Sequence, residues 1–312
     1  MKKEPVRNLA ASVRERLRQL ARARNEPFDL VLAKYALERL LYRLARSEFR
    51  DRFMLKGALL FALWTDQPYR PTRDADLLCS GPSDVAGLVE TFRTICGTPC
   101  EDGLQYPAES VHGELHTEDK VYRGVRIMTT ATLERVRIPV QADIGFGDVV
   151  TPGPEEIIYP SLLEFPAPKL RAYPTYTVVA EKFEAAVKLG EQNSRMKDFY
   201  DLWAMARRFE FEGEVLAKAI RNTFDRRKTA LPTASPVAVP DRFVERVAER
   251  KQWTSFLAKS GIDAPAFPEI AGVIEGFIAA PALAAAQSQP FRAKWNPPGP
   301  WREEKENKGT AQ

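Results

Sequence analysis

Asp74 and Asp76 stand one residue apart in "TRDADLLC", at the start of an apolar run. Successive side chains on a strand point to opposite faces, so residues two apart share a face and both carboxylates would project together. Like charges held that close repel and require a cation. A third carboxylate follows in "ERVRIPVQADIGFGD". There Val136, Ile138, Val140, Ala142 and Ile144 alternate with Arg135, Arg137, Pro139, Gln141 and Asp143. Asp143 therefore lies away from the core, on the face of Asp74 and Asp76 if the two strands are neighbours. Three carboxylates on one patch would form a divalent-metal site. Oxygen ligands suit magnesium, with manganese as an alternative, and magnesium usually takes one or two carboxylates plus substrate phosphates. Such ions support in-line displacement at phosphorus, where the protein supplies position and charge rather than covalent chemistry. A lone D-x-D is common at strand edges, and "DIGFGD" also reads as a turn tolerant of unusual backbone angles.

Two further groups of residues bear on that chemistry. Lys56, Gly57 and Ala58 open the apolar stretch "LKGALLFALW". A glycine at a helix start lets the backbone approach phosphate, and free N–H groups there bind anions. In the later half, "VVAEKFEAAVKLGEQNSRMKDFYDLW" sets Glu181, Lys182, Lys188, Arg195, Lys197, Asp198 and Asp201 on an apolar skeleton. Lys182 lies near the line of Val178 and Ala186, so it either snorkels or reaches into a cleft. Asp198 and Asp201, three apart, share one side of a helix. Two readings stay open: solvated, salt-bridged helices, or Lys182, Arg195 and Lys197 on a triphosphate with Asp198 fixing the lysine or acting as base. His112 and His116 share a strand face without a third ligand nearby, and Cys96 and Cys100 have no second pair, so neither reads as a zinc site. No Walker-type glycine loop and no GxSxG occurs.

These residues must be positioned by alternating elements. Helices are expected over "VRNLAASVRERLRQLARARN", with Val13, Leu17, Leu20 and Ala21 on one side, over "FDLVLAKYALERLLYRLARSEF" and over "VAGLVETFRTI". An apolar helix is expected after Gly57. "ESVHGELHTE", "YRGVRIMTTATL" and "ERVRIPVQADIGFG" change to period two and predict an antiparallel meander, with "GPEEIIYPSLLEF" as an edge piece. After Pro168 helical periodicity dominates. The expected fold class is α+β, in four parts. Residues 1–49 are helices packing on the core. Residues 50–167 carry the mixed sheet, residues 168–290 form a helical domain completing the site, and residues 291–312, Pro-rich then charged, form a disordered tail.

The chain has 312 residues, a formal net charge of +4 and an apolar content of 44 %. That is long enough for a full core and ordinary for a soluble globular protein. No stretch reads as a membrane span or a secretion signal, and the sparse Cys79, Cys96 and Cys100 do not suggest disulfides, so the cytoplasm is the expected compartment. The first 24 residues carry Lys2, Lys3, Arg7, Arg14, Arg16, Arg18, Arg22 and Arg24 against Glu4 and Glu15. A basic face of this kind suits phosphate, although most such runs are simply solvated.

"KGALLFALW…RPTRDADLL", "VQADIGFGD" and "AEKFEAAVKLGEQNSRMKDFYDLW", in that order over residues 50 to 225, resemble the AbiEii/AbiGii-type nucleotidyltransferase toxins, which include the mycobacterial MenT toxins. The resemblance implies a nucleotidyltransferase-like core with a helical C-terminal domain. It also implies the toxin half of a toxin–antitoxin or abortive-infection pair, with a cognate antitoxin. The implied reaction moves nucleotides from an NTP to the 3′ acceptor end of tRNA and blocks translation. By the same resemblance Asp74, Asp76, Lys182 and Asp198 are catalytic. Lys56, Gly57, Ala58, Thr72, Arg73, Arg195, Lys197 and Asp201 belong to nucleotide binding. Asp74 and Asp76 hold the metal, with Asp143 as the further candidate ligand. Thr72 matches a hydroxyl that some members' antitoxins phosphorylate. Ala58 departs from the family's usual Gly-Gly or Gly-Ser pair, keeping the small size but losing a hydroxyl. The rival readings are a nucleotide-binding regulatory protein without turnover, and a nucleotidyltransferase acting on a protein or a small molecule.

Overall fold

The computed structural model of the chain describes residues 8–64, 70–118 and 122–303. It divides into two compact units. The first holds residues 8–147 and 155–172, and the second holds residues 148–154 and 173–303.

In the first unit α1 (Leu9–Arg24) starts where the Asn8 side chain accepts from the Ala11 N–H, and buries Val13, Leu17 and Ala21. Helix α2 (Phe28–Arg46) is buried along most of its length. There follow β1 (Phe53–Lys56), the short α3 (Phe61–Trp64), β2 (Asp74–Cys79), α4 (Val85–Cys96) and β3 (Leu104–Gln105). Strands β4 (His112–Glu118), β5 (Tyr122–Leu133), β6 (Val136–Phe146), β7 (Glu155–Ile158) and β8 (Lys169–Ala172) complete it. The sheet order is β3-β5-β6-β2-β1-β8-β7, with β4 also paired to β5. Strands β4, β5 and β6 form the antiparallel meander that alternation predicts, whereas β2 runs parallel to β6. Strand β1 lies antiparallel to β2 and parallel to β8.

One sheet face is apolar. Ala75, Leu77, Val125, Ile127, Ala131, Ile138, Val140, Ala142 and Ile144 are all buried there, and α1, α2 and α4 pack on the strands. Helix α2 also anchors the loop before β3 through a buried polar network. Arg43 donates to both oxygens of Asp102 at 2.6 and 3.1 Å, Arg39 Nε donates to it at 3.1 Å, and Tyr35 donates to the Asp102 carbonyl at 2.8 Å. Charges taken out of water persist only when paired and hydrogen-bonded in this way.

The second unit contains α5 (Thr175–Leu189), α6 (Met196–Arg208), β9 (Phe211–Glu212), α7 (Gly213–Arg227), α8 (Asp241–Glu249) and α9 (Gln252–Ser260). Helix α10 (Phe267–Gln287), β10 (Ala293–Trp295) and β11 (Trp301–Glu303) close it. Segment 148–154 belongs here because its polar groups find partners here. Thr151 N–H donates to Thr177 Oγ1 at 2.8 Å, Asn222 donates to Thr151 Oγ1 at 2.9 Å, and Arg227 binds Asp148 at 3.1 Å.

Four expectations are corrected. The apolar helix after Gly57 is only a 3-10 turn, Gly57–Leu60, running into α3. Lys56 belongs to a strand rather than a helix lead-in. Helix α10 is long and apolar enough, by length and composition, to cross a membrane; half of its most apolar window is buried within the fold, where it packs on α6, α7 and α8. The expected disordered tail is ordered through residue 303: β10 pairs with β9 and β11. Trp295 Nε1 donates to the Ala206 carbonyl at 2.6 Å and Trp301 Nε1 to that of Phe277 at 2.8 Å. Proline content suggested a loose tail, but two tryptophans with satisfied N–H groups and apolar neighbours outweigh it. The rest of that tail, and Lys2, Lys3, Glu4 and Arg7, lie outside the described residues.

Candidate active site

The sheet face opposite the apolar one carries the candidate residues of the first unit. Strand register brings them into rows: Lys56 on β1 is the cross-strand partner of Asp76, and Asp76 is the partner of Asp143 on β6. Asp74 is likewise opposite Gln141. Both β2 aspartates are half-buried, so the alternation that sends Ala75 and Leu77 into the core sends them together to the other side. Lys56 supplies a cation close by. A Cβ built on Gly145 would fall 3.5 Å from Lys56 Nζ, so the lysine crosses β2 and lies over β6. Thr72 donates to Asp74 Oδ1. Arg73 is more exposed and pairs with Asp29 at 2.5 Å, not with either β2 carboxylate.

Gly57 differs from its expected use. Its φ is +72°, and a Cβ there would lie 1.9 Å from Asp76 Oδ2. The room left by the missing side chain is filled by the Asp76 carboxylate, which packs directly on the Gly57 backbone. Ala58 follows in the turn, half-buried.

Asp143 also differs from expectation. Arg126, its partner across β5 and β6, donates to both of its oxygens at 2.8 Å, and Gln141 Nε2 donates to both at 3.2 Å. Among the described residues no group of three or more His, Cys, Asp or Glu is arranged to hold a metal ion. The donor set that fits a hard cation is the β2 pair, two carboxylates on one face, which is the number magnesium usually takes from protein. Asp143, the further candidate, is held by the Arg126 guanidinium. Arg126 was missed in the sequence. Its signal was its parity: an arginine at a polar-face position of "YRGVRIMTTATL".

In the second unit α5 and α6 build the other cluster. Lys182 Nζ lies 2.7 Å from Asp198 Oδ1 and 2.7 Å from Asp201 Oδ2, and Arg195 Nε lies 2.5 Å from Asp198 Oδ2. Both aspartates are buried. Burial alone would raise the Asp198 carboxyl, but Lys182, Arg195 and Lys197 outweigh it and hold the group well below the usual carboxylate range. A carboxylate so stabilised is a poor proton acceptor. Its geometry suits orienting Lys182 and Arg195, so of the two roles considered for Asp198 that of base is not favoured. Arg227 is enclosed nearby by Asp148, Glu181 and Glu184 at 2.9 to 3.1 Å, a second ion cluster that ties α7 to α5.

The basic face of α1 is largely spoken for. Arg14 pairs with Glu134, Arg16 with Glu164 and Arg18 with Glu15, while Arg22 and Arg24 remain exposed.

The model of a protein family described as nucleotidyl transferase AbiEii toxin, type IV TA system, matches residues 39–282. A search among curated proteins finds no match. Two solved structures from Helicobacter pylori are similar at 15 % identity, one described as a nucleotidyltransferase and the other as JHP933. The first covers 83 % of this chain and 96 % of its own, with a TM-score of 0.43. The second covers 83 % and 94 %, with a TM-score of 0.45.

Proposed function

The chain belongs to the AbiEii family of nucleotidyl transferase toxins of type IV toxin–antitoxin systems, and from that premise we propose that it is a metal-dependent enzyme moving nucleotides from an NTP to the 3′ acceptor end of tRNA. Translation stops because a blocked 3′ end cannot be charged, and the cognate antitoxin is the partner that restrains it. The observation that carries the reading is the pair Asp74 and Asp76, projecting together from β2 with Lys56 opposite Asp76 on β1.

In this reading Asp74 and Asp76 hold magnesium, or manganese in its place. When bound, the ion neutralises phosphate charge and orients the triphosphate for in-line attack. The chain's own residues do the rest. Thr72 and Gly57 fix the two carboxylates, the first by its hydroxyl and the second by leaving room. Lys56 and the turn beginning at Gly57 and Ala58 offer positive charge and N–H groups to phosphate. In the helical unit Asp198 and Asp201 set the position of Lys182, a cation of the kind that meets phosphate. The terminal ribose hydroxyl oxygen attacks the α-phosphorus. The O–P bond forms as the bond to the bridging oxygen breaks, pyrophosphate leaves, and the hydroxyl proton passes to water. RNA held by phosphate contacts binds less tightly as salt rises.

Incubating the protein with each labelled NTP, magnesium and total cellular RNA tests this. Label is expected in tRNA. Asp74→Asn and Asp76→Asn are each expected to lower transfer by about 1,000-fold or more, since electrostatic stabilisation at phosphoryl transfer is the main catalytic term. Label appearing in a protein or a small molecule moves the acceptor assignment. Growth arrest that persists in both variants replaces catalysis with a regulatory role.

A further inference from the structure

Asp143 stands beside Asp76 in the sheet, where a third metal ligand is expected, yet both of its oxygens already accept hydrogen bonds. A carboxylate offers about four lone-pair sites. Three nitrogens make four contacts with it: Arg126 Nε on Oδ1, Arg126 Nη2 on Oδ2, and Gln141 Nε2 on both oxygens. The arginine is itself braced from the far side. Its Nη2 lies 3.0 Å from His116 Nε2. A guanidinium only donates, so the imidazole nitrogen accepts and its ring proton sits on Nδ1. His116, Arg126 and Asp143 thus form a line across β4, β5 and β6, on the same sheet face as Asp74 and Asp76.

We propose that Asp143 serves as the anchor of Arg126 and not as a metal ligand, and that the anchored guanidinium is a built-in cation beside the Asp74–Asp76 pair. The inference rests on the metal-dependent reading above and refines it. A bidentate, partly buried arginine–carboxylate pair is among the stronger polar contacts, and fixed strand register leaves little freedom to either partner. The charge balance agrees. Asp74, Asp76 and Asp143 bring three negative charges and Lys56 and Arg126 two positive ones, leaving one negative charge for a dication and its phosphates. The field at Arg126 points the same way. The hydrogen bonds Arg126 donates to Asp143 raise its proton affinity against the opposing effect of burial, and the charges of Asp143, Asp74 and Glu114 add to it. Arg126 is therefore a positioning residue, held by Asp143 and His116 to offset the β2 carboxylates before substrate arrives.

Manganese titration of the full chain, followed by the EPR signal of the free ion, separates the two roles of Asp143. Asp76→Asn is expected to weaken binding by about 100-fold or more, and Asp143→Asn by less than about threefold. Arg126→Met, which releases Asp143 next to Asp76, is expected to tighten it by about tenfold. In NTP transfer the double variant Arg126→Met/Asp143→Asn is expected to be about as impaired as Arg126→Met alone, because anchor and anchored act as one unit. If Asp143→Asn loses manganese as fully as Asp76→Asn, the inference is overturned while the enzymatic reading stands. If the wild-type chain neither binds manganese nor transfers label, the enzymatic reading falls with it. Should Arg126→Met fail to fold, Arg126→Lys keeps a charge without the fork, and loss of the coupling with Asp143 in that variant reads the same anchor; coupling kept intact overturns it.

Discussion

Gly57 shows how a single atom sets the site. The chain adopts positive φ there, and the Asp76 carboxylate sits where a side chain would begin. Gly57→Ala forces a methyl group into that carboxylate and strains the backbone, so a loss of about 2–3 kcal/mol in stability is expected, measured by denaturant unfolding. NTP transfer is expected to fall further than stability explains, since Asp76 must move. Lys182→Met leaves Asp198 and Asp201 buried against each other without their shared cation, at a cost of about 3–5 kcal/mol. The pH dependence has a definite sign. Asp198 titrates below its ordinary value of 3.8 in the folded chain, so its contribution is complete above about pH 4 and is lost as pH falls. In the methionine variant the acid-unfolding midpoint is expected to rise, which a pH titration of circular dichroism checks. At this scale the sequence was legible where chemistry follows spacing, as with Asp74 and Asp76. It was not legible where the partner comes from strand register. Nothing in "DIGFGD" reveals that Arg126, 17 positions earlier, sits directly across from Asp143.

Among the elements, α2 does more than cover the sheet. Its Arg39 and Arg43 converge on Asp102 in the loop before β3, with Tyr35 on the same residue's carbonyl. Asp102→Asn removes the charge that compensates two buried guanidinium groups, and an unfolding cost of about 3–5 kcal/mol is expected from urea denaturation. Because no candidate site residue contacts Asp102, the transfer activity of whatever protein remains folded is expected to be unchanged. The meander β4–β6 was readable from alternation because each strand runs seven or more residues and β5 and β6 bury one face. Strands β1 and β8, four residues each, are too short for a period to show, and β1 was read as the approach to a helix. That misreading matters, because the pairing of β1 with β2 is what places Lys56 opposite Asp76.

At the scale of the molecule, the helical unit is closed by its last described strands. Trp295 is buried, lies 5.0 Å from the Phe277 ring and satisfies its N–H on α6. Trp295→Ala is expected to cost about 3–5 kcal/mol and to lower the melting temperature of the helical unit, as read by calorimetry. The closing pair β9–β10 joins residue 212 to residue 294, a contact that forms only after α7 to α10 have been made. A nascent chain halted within α10 therefore leaves Phe211 and Phe277 without Trp295 to cover them. Synthesis must run past Trp301 before the helical half can acquire its finished shape.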